Sequence, residues 1–300
     1  MRIAAPLALT FALAASAAQA APSDTLTTPP ALAARLAERD LVILHAGSEA
    51  NFAAGHIPGA RLASRDALSV TGPAAGGLIL ELPPEAELRA QLQALGVGDR
   101  SRIVVYAAAG EVQPATRLMW TLDAAGLGER AVLLDGGLAA WKAAGRPVET
   151  GPAAAPAPGR LSPLKMAPRR VTTEQVAARA DGLKLIDARA PVFYDGLQPG
   201  FGAAPEKKGH IPGAVSVPFT SVTGPDQRFR SPAELRAIFA RAGVKPGDKV
   251  AVYCHVGQQA TAVQFAAQRA GVDARLYDGS FQDWARGGRP VETTPAGPAK

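Results

Sequence analysis

Short runs of consecutive apolar residues alternate along this chain with longer stretches in which apolar positions return every third or fourth residue. In the first half, residues 41–44, 103–106 and 131–134 form short apolar runs and predict strands, while residues 84–95, 112–125 and 138–144 carry the helical period. The second half repeats the alternation, with strands expected at 183–187, 249–253 and 275–277 and helices at 232–242, 258–270 and 281–286. Strands this short and this apolar must be covered on both faces, and the interleaved helices supply the cover. The expected fold class is α/β: two tandem domains, each a small parallel sheet with helices on both faces.

Motifs show the halves to be copies. Gly55-His56-Ile57-Pro58-Gly59-Ala60 returns as Gly209-His210-Ile211-Pro212-Gly213-Ala214, and both halves close on Arg-Pro-Val-Glu-Thr, at 146–150 and 289–293. A repeat this long is a duplicated domain and not a solenoid unit. A total of 300 residues also exceeds what one core usually serves. The proline- and alanine-rich stretch 151–167 reads as an extended connector between domains at 24–150 and 168–293. At the start, Met1-Arg2, an apolar run and Ala18-Gln19-Ala20 read as a cleavable signal peptide over 1–20, so a periplasmic or secreted protein is expected. No later stretch is apolar for long enough to predict stable membrane insertion.

The formal charge of +6 comes from basic residues scattered among acidic ones, and only 5% of the chain is aromatic. Nucleic-acid binding is not expected from such a pattern, whereas a mild attraction for small anions is. Cys254 is the one cysteine, so no intrachain disulfide can form. It stands where an apolar strand runs into the loop His255-Val256-Gly257-Gln258-Gln259-Ala260 and then a helix. Backbone N–H groups of such a turn and the positive end of the helix favour thiolate, the setting of a nucleophile; a buried core cysteine is the bland alternative.

These residues resemble the tandem rhodanese sulfurtransferases over nearly all of 24–293. The matching pieces are Asp187-Ala188-Arg189, the Gly-His-Ile-Pro-Gly-Ala turn in both halves, Cys254 with Gly257 after an apolar strand, and Tyr277-Asp278-Gly279 ahead of Trp284. The resemblance implies that only the second domain is active. Ala107 aligns with Cys254, His45 with Asp187 and Gly47 with Arg189, and the second half alone carries an insertion at 190–208 that would help to wall the site. It implies that Cys254 takes the outer sulfur of a small anionic donor as a persulfide and yields it to cyanide, a thiol or a protein acceptor, with no cofactor and no metal.

On that reading the loop 255–260 cradles the sulfur, with Gly257 supplying the tight curl. Arg189 binds the donor's anionic end or merely pairs with Asp187 or a loop carbonyl. Asp187 orients loops, His210 packs the turn as His56 does, and His255 either adds positive charge or faces solvent. Relatives specific for thiosulfate carry two basic residues after the cysteine, and those specific for mercaptopyruvate carry a serine at the second position. Here His255-Val256 match neither, and Phe193 replaces a second substrate arginine. Thiosulfate is the leading donor and 3-mercaptopyruvate the second. A persulfide carrier serving one dedicated partner is the non-enzymatic alternative. A phosphatase of related fold would need an arginine closing the loop, where this chain has Ala260.

Overall fold

The computed structural model describes residues 25–72, 77–108, 110–152, 154–200 and 207–294; the segment 1–20 read as a signal peptide lies outside them. The first half runs β1 (Leu26–Thr27), α1 (Pro29–Ala33), β2 (Leu41–Ala46), α2 (Glu49–Ala54), β3 (Arg61–Ala63), β4 (Val70–Gly72), β5 (Leu78–Glu81), α3 (Glu85–Ala94), β6 (Arg102–Ala107), α4 (Gln113–Ala124), β7 (Ala131–Leu134) and α5 (Gly137–Ala143). The second runs β8 (Arg170–Val171), α6 (Thr173–Ala178), β9 (Lys184–Asp187), α7 (Pro191–Tyr194), β10 (Ala214–Ser216), α8 (Pro232–Arg241), β11 (Lys249–Tyr253), α9 (Gln259–Arg269), β12 (Asp273–Tyr277) and α10 (Ser280–Arg286).

Each half builds a five-stranded parallel sheet in the same order, β1-β7-β6-β2-β3 and β8-β12-β11-β9-β10. The six strands expected from apolar runs are the inner strands of these sheets. The edge strands β1, β3, β8 and β10 span only two or three residues, too few to show any period in sequence. An antiparallel pair, β4 with β5, is reduced in the second half to a single antiparallel bridge between Thr223 and Phe229.

Burial follows from the duplication. The outer face of the first sheet packs Ile43, Val104 and Leu134 against Leu32, Leu138 and Trp141. The outer face of the second packs Leu185, Ala251 and Tyr253 against Val176, Phe281 and Trp284. The inner faces and their helices share one continuous core running from Val42 through Trp120 to Val263 and Leu276. At the seam α4 meets α9, where the Thr116 and Thr261 hydroxyls lie 2.9 Å apart. The connector stays extended but is laid along the first half, with Gly159 N–H donating to the Gln93 carbonyl at 2.8 Å and Ala167 N–H to the Ala124 carbonyl at 2.8 Å.

Candidate active site

Strand register places the chemistry. β11 pairs with β9 so that Tyr253 sits beside Asp187, which brings Cys254 and Arg189 together just beyond the carboxyl ends of adjacent parallel strands. Open α/β sheets hold their ligands at this edge. The Ala188 N–H donates to the Tyr253 carbonyl at 2.8 Å and locks the two strand ends together.

Cys254 is 1% exposed and packs within the core shared by the two halves. Its backbone is held by α10: the Cys254 N–H donates to Ser280 Oγ at 3.3 Å, and the Cys254 carbonyl accepts from the Phe281 N–H at 3.1 Å. Ser280 is fully buried with φ +54, a left-handed backbone that an L side chain enters at a cost, and its hydroxyl donates to the Tyr277 carbonyl at 2.9 Å. Gly257 has φ +79, and a Cβ there would stand 2.7 Å from the Asp278 carbonyl oxygen. Both the backbone angle and the space demand glycine.

Arg189 sits in the pairing that the sequence held as its second option. It is fully buried, its Nη2 lies 2.6 Å from Asp187 Oδ2, its Nε donates to both Asp187 oxygens, and Nη2 also donates to the Gly209 carbonyl at 2.8 Å. Phe281 lies under the guanidinium at 4.1 Å. Burial alone would lower its pKa, but the charge and hydrogen bonds of Asp187 outweigh it and the pKa is raised. Its Nη1 is buried without a hydrogen-bond partner and faces Gly200 of the insertion, 3.4 Å from where a Cβ would stand there. Among the described residues this nitrogen has no acceptor. Asp187 is filled by this ion pair and by the Arg189 backbone N–H at 2.9 Å. Tyr253 is held well above its ordinary pKa, first by burial and then by the Asp187 charge.

His255 does neither of the things expected of it. It is 8% exposed and meets Phe193 edge-on at 4.5 Å, so it does not face solvent. Burial first, and the nearby Arg189 charge second, push its pKa down to about 4, so it is neutral at physiological pH. Val256 is buried and Ala260 fully so, while Gln259 opens α9 with its Oε1 buried and unpartnered. Gln258 gives its carbonyl to the Thr261 hydroxyl at 2.7 Å, which ties the loop to the helix.

His210 packs as the first half does. Its ring stacks on Tyr194 at 3.8 Å with Nδ1 2.8 Å from the Tyr194 carbonyl, and His56 stacks on Phe52 at 3.7 Å with Nδ1 2.8 Å from the Phe52 carbonyl. Among the described residues no cluster of His, Cys, Asp or Glu could hold a metal ion. A cavity of about 600 Å³, lined by Ser216, Arg230, Glu234, Ile238 and Arg241, includes neither Cys254 nor any residue of its loop.

Sequence reasoning passed over Arg117 and Ser280. Arg117, from the half without the cysteine, reaches across the seam: Nη1 donates to Asp278 Oδ1 at 2.6 Å and to the Gly257 carbonyl at 3.1 Å. The available signal was a lone cation inside a helix whose other described positions from 115 to 122 are all buried. Ser280 was visible as the departure from Gly137 at the equivalent place.

Comparison with known proteins agrees with this architecture. The model of the rhodanese-like domain matches residues 28–144 and again 172–286. A Pseudomonas aeruginosa protein named a probable 3-mercaptopyruvate sulfurtransferase is 37% identical over 90% of this chain and 99% of its own length. A thiosulfate sulfurtransferase of Azotobacter vinelandii is 31% identical over 85% of this chain and 92% of its own. The crystal structure of SseA from Escherichia coli, titled as a 3-mercaptopyruvate sulfotransferase, superimposes with a TM-score of 0.75 at 27% identity, over 86% of this chain and 99% of that one.

Proposed function

This chain belongs to the rhodanese family of sulfurtransferases, and from that premise we propose that Cys254 carries the sulfur as a persulfide, with thiosulfate as donor. The Cys254 thiolate attacks the outer sulfur of thiosulfate; the new bond joins Sγ to that sulfur, and the old sulfur–sulfur bond breaks with its electron pair leaving on sulfite. A thiol or cyanide then attacks the outer sulfur of the persulfide and returns the electron pair to Sγ. Two half-reactions through one covalent intermediate follow.

The observation that carries this reading is the placement of the single cysteine beside a buried guanidinium that retains one unpartnered donor. Arg189 Nη1 would meet the donor's anionic end, and Asp187 would keep the guanidinium from turning away. Thiosulfate is favoured over mercaptopyruvate by the loop. Sulfite leaves without needing a proton, whereas an enolate of pyruvate needs one. Val256 has no hydroxyl, His255 is neutral at physiological pH, and the Ser280 hydroxyl is committed to the Tyr277 carbonyl. Export through the segment 1–20 belongs to the same proposal, and N-terminal sequencing of the protein from its native compartment should start near Ala21.

The deciding experiment is a donor panel read by intact mass. Thiosulfate should add one sulfur atom to the wild type and none to Cys254→Ala, and mercaptopyruvate should label more slowly. A wild-type protein that gains no sulfur from either donor would sink the persulfide; turnover seen only with one co-purifying acceptor protein would make the chain a carrier.

A further inference from the structure

We infer that Arg117, supplied by the half that has no nucleophile, is a positioning residue for the Cys254 loop: it holds the Gly257 carbonyl and thereby sets the direction of the amide that follows. The inference rests on the sulfur-transfer reading of Cys254 and adds to it a task for the first domain.

Arg117 is 4% exposed, on α4 at the seam, and its guanidinium is held from several sides. Nη1 bonds the Gly257 carbonyl at 3.1 Å and Asp278 Oδ1 at 2.6 Å, Nη2 donates to the Leu80 carbonyl, and the plane lies over Trp120 at 4.4 Å. A planar fork so fixed defines where the Gly257 oxygen must sit. Because the peptide is planar and trans, a carbonyl aimed at Arg117 sends the next N–H, that of Gln258, the opposite way. The loop that curls past Cys254 therefore has one of its amides set from outside its own domain.

The contacts of the clamp extend to its neighbours. Leu80, whose carbonyl receives Nη2, is buried at 1% with φ +65; the equivalent Gln227 has φ +61, so this turn is common to both halves while the bond from Arg117 is made in one. The segment on both sides of Leu80 is clipped to the second half, with the Leu82 N–H donating to Asp278 Oδ2 at 2.9 Å and the Ile79 N–H to Gln282 Oε1 at 2.9 Å. The first half provides the internal control. Gly110, equivalent to Gly257, has a similar φ of +69, yet nothing lies within 4 Å of where its Cβ would be. At the position equivalent to Arg117 the second half has Gln264, which bonds the Ala274 carbonyl of its own domain at 3.2 Å. The clamp is one-sided, as the cysteine is.

The test compares Arg117→Met, Arg117→Lys and Thr116→Val, the last breaking a hydrogen bond of the same seam one residue away. Three quantities are read on each: the rate of sulfur addition to Cys254 at saturating thiosulfate, the pH midpoint for alkylation of Cys254 by iodoacetamide, and the melting temperature. Arg117→Met should slow sulfur addition about tenfold or more, as loss of a preorganised amide does, and should raise the alkylation midpoint. Arg117→Lys should recover part of both, and Thr116→Val should lower only the melting temperature. A merely structural ion pair would move the melting temperature alone; folded Arg117→Met with wild-type rate and midpoint overturns the inference. Should Arg117→Met fail to fold, wild-type values in Arg117→Lys overturn it equally. If the wild type takes no sulfur at all, the transfer reading fails, while the alkylation midpoints still decide the role of Arg117.

Discussion

The loops after β6 and β11 are the same turn in two states of equipment. Beside Ala107 the ring of His45 lies against Gly47, where a Cβ would stand 2.5 Å from Ala108 Cβ and 2.8 Å from His45 Nε2. Around Cys254, Asp187 and Arg189 form a buried ion pair, and Ser280 accepts φ +54 where the first half uses Gly137 at the same angle. Reciprocity survives in one pair: Asp278 accepts the Leu82 N–H at 2.9 Å, and Asp135 accepts the Phe229 N–H at 3.0 Å, each from the opposite domain. The crossing by Arg117 has no such answer, because the equivalent Gln264 bonds within its own domain. Backbone geometry was kept in both copies, while the thiol and the buried Asp187–Arg189 pair are found at one.

Exchanging single residues between the halves should break the comparison most sharply. Cys254→Ala should abolish sulfur transfer measured as thiocyanate from thiosulfate and cyanide, and adding Ala107→Cys to it should restore none, because the first loop has no guanidinium. Recovery of even slow turnover there would show that the backbone alone suffices.

Next comes the ion pair that only one half owns. Asp187→Ala strands a buried guanidinium and should cost roughly 3–5 kcal/mol in a urea titration, with sulfur addition lost in the folded fraction. A cost below about 1 kcal/mol would mean that solvent reaches Arg189.

The two glycines should separate by less. Gly110→Ala meets open space and should cost about 1–2 kcal/mol for its left-handed backbone, whereas Gly257→Ala adds a collision with the Asp278 carbonyl and should cost more by a measurable margin. Equal costs would deny the clamp on the second loop.

The remaining contrast lies in pH. His45 is pushed down to about 4 by burial and by His56, as His255 is by burial and Arg189. Each is lowered from 6.5, so between pH 6.5 and 4 the unfolded chain binds more protons than the folded one. Stability contributed by the neutral rings is complete above pH 6.5 and is lost as the pH falls toward 4, by up to on the order of 3 kcal/mol for each. Urea titrations of His45→Asn and His255→Asn should show shallower slopes over that window, one for each half. At the seam Glu81 behaves oppositely: burial first, then the Asp278 charge, raise its carboxyl to about 8. The folded protein holds that proton longer, so stability falls as pH rises from 4.5 to 8, and Glu81→Gln should flatten the decline.

The six apolar runs, the duplicated Gly-His-Ile-Pro-Gly-Ala turn and the lone Cys254 before a helix were enough to place two parallel sheets and a single thiol at the end of a strand, because burial on both faces and the absence of any second thiol are facts of composition and period. The pairing of Arg189 with Asp187 was open in sequence, since adjacency along a chain does not say whether a guanidinium turns inward. His255 looked solvent-facing or charged, and only its burial against Phe193 made it neutral. Arg117 lies 140 residues before Gly257, and no local rule couples positions so distant. Local pattern and repetition were therefore enough for the frame, whereas the charge state of the site and the arm that crosses the seam came from three-dimensional packing, where desolvation and neighbouring charges act across space.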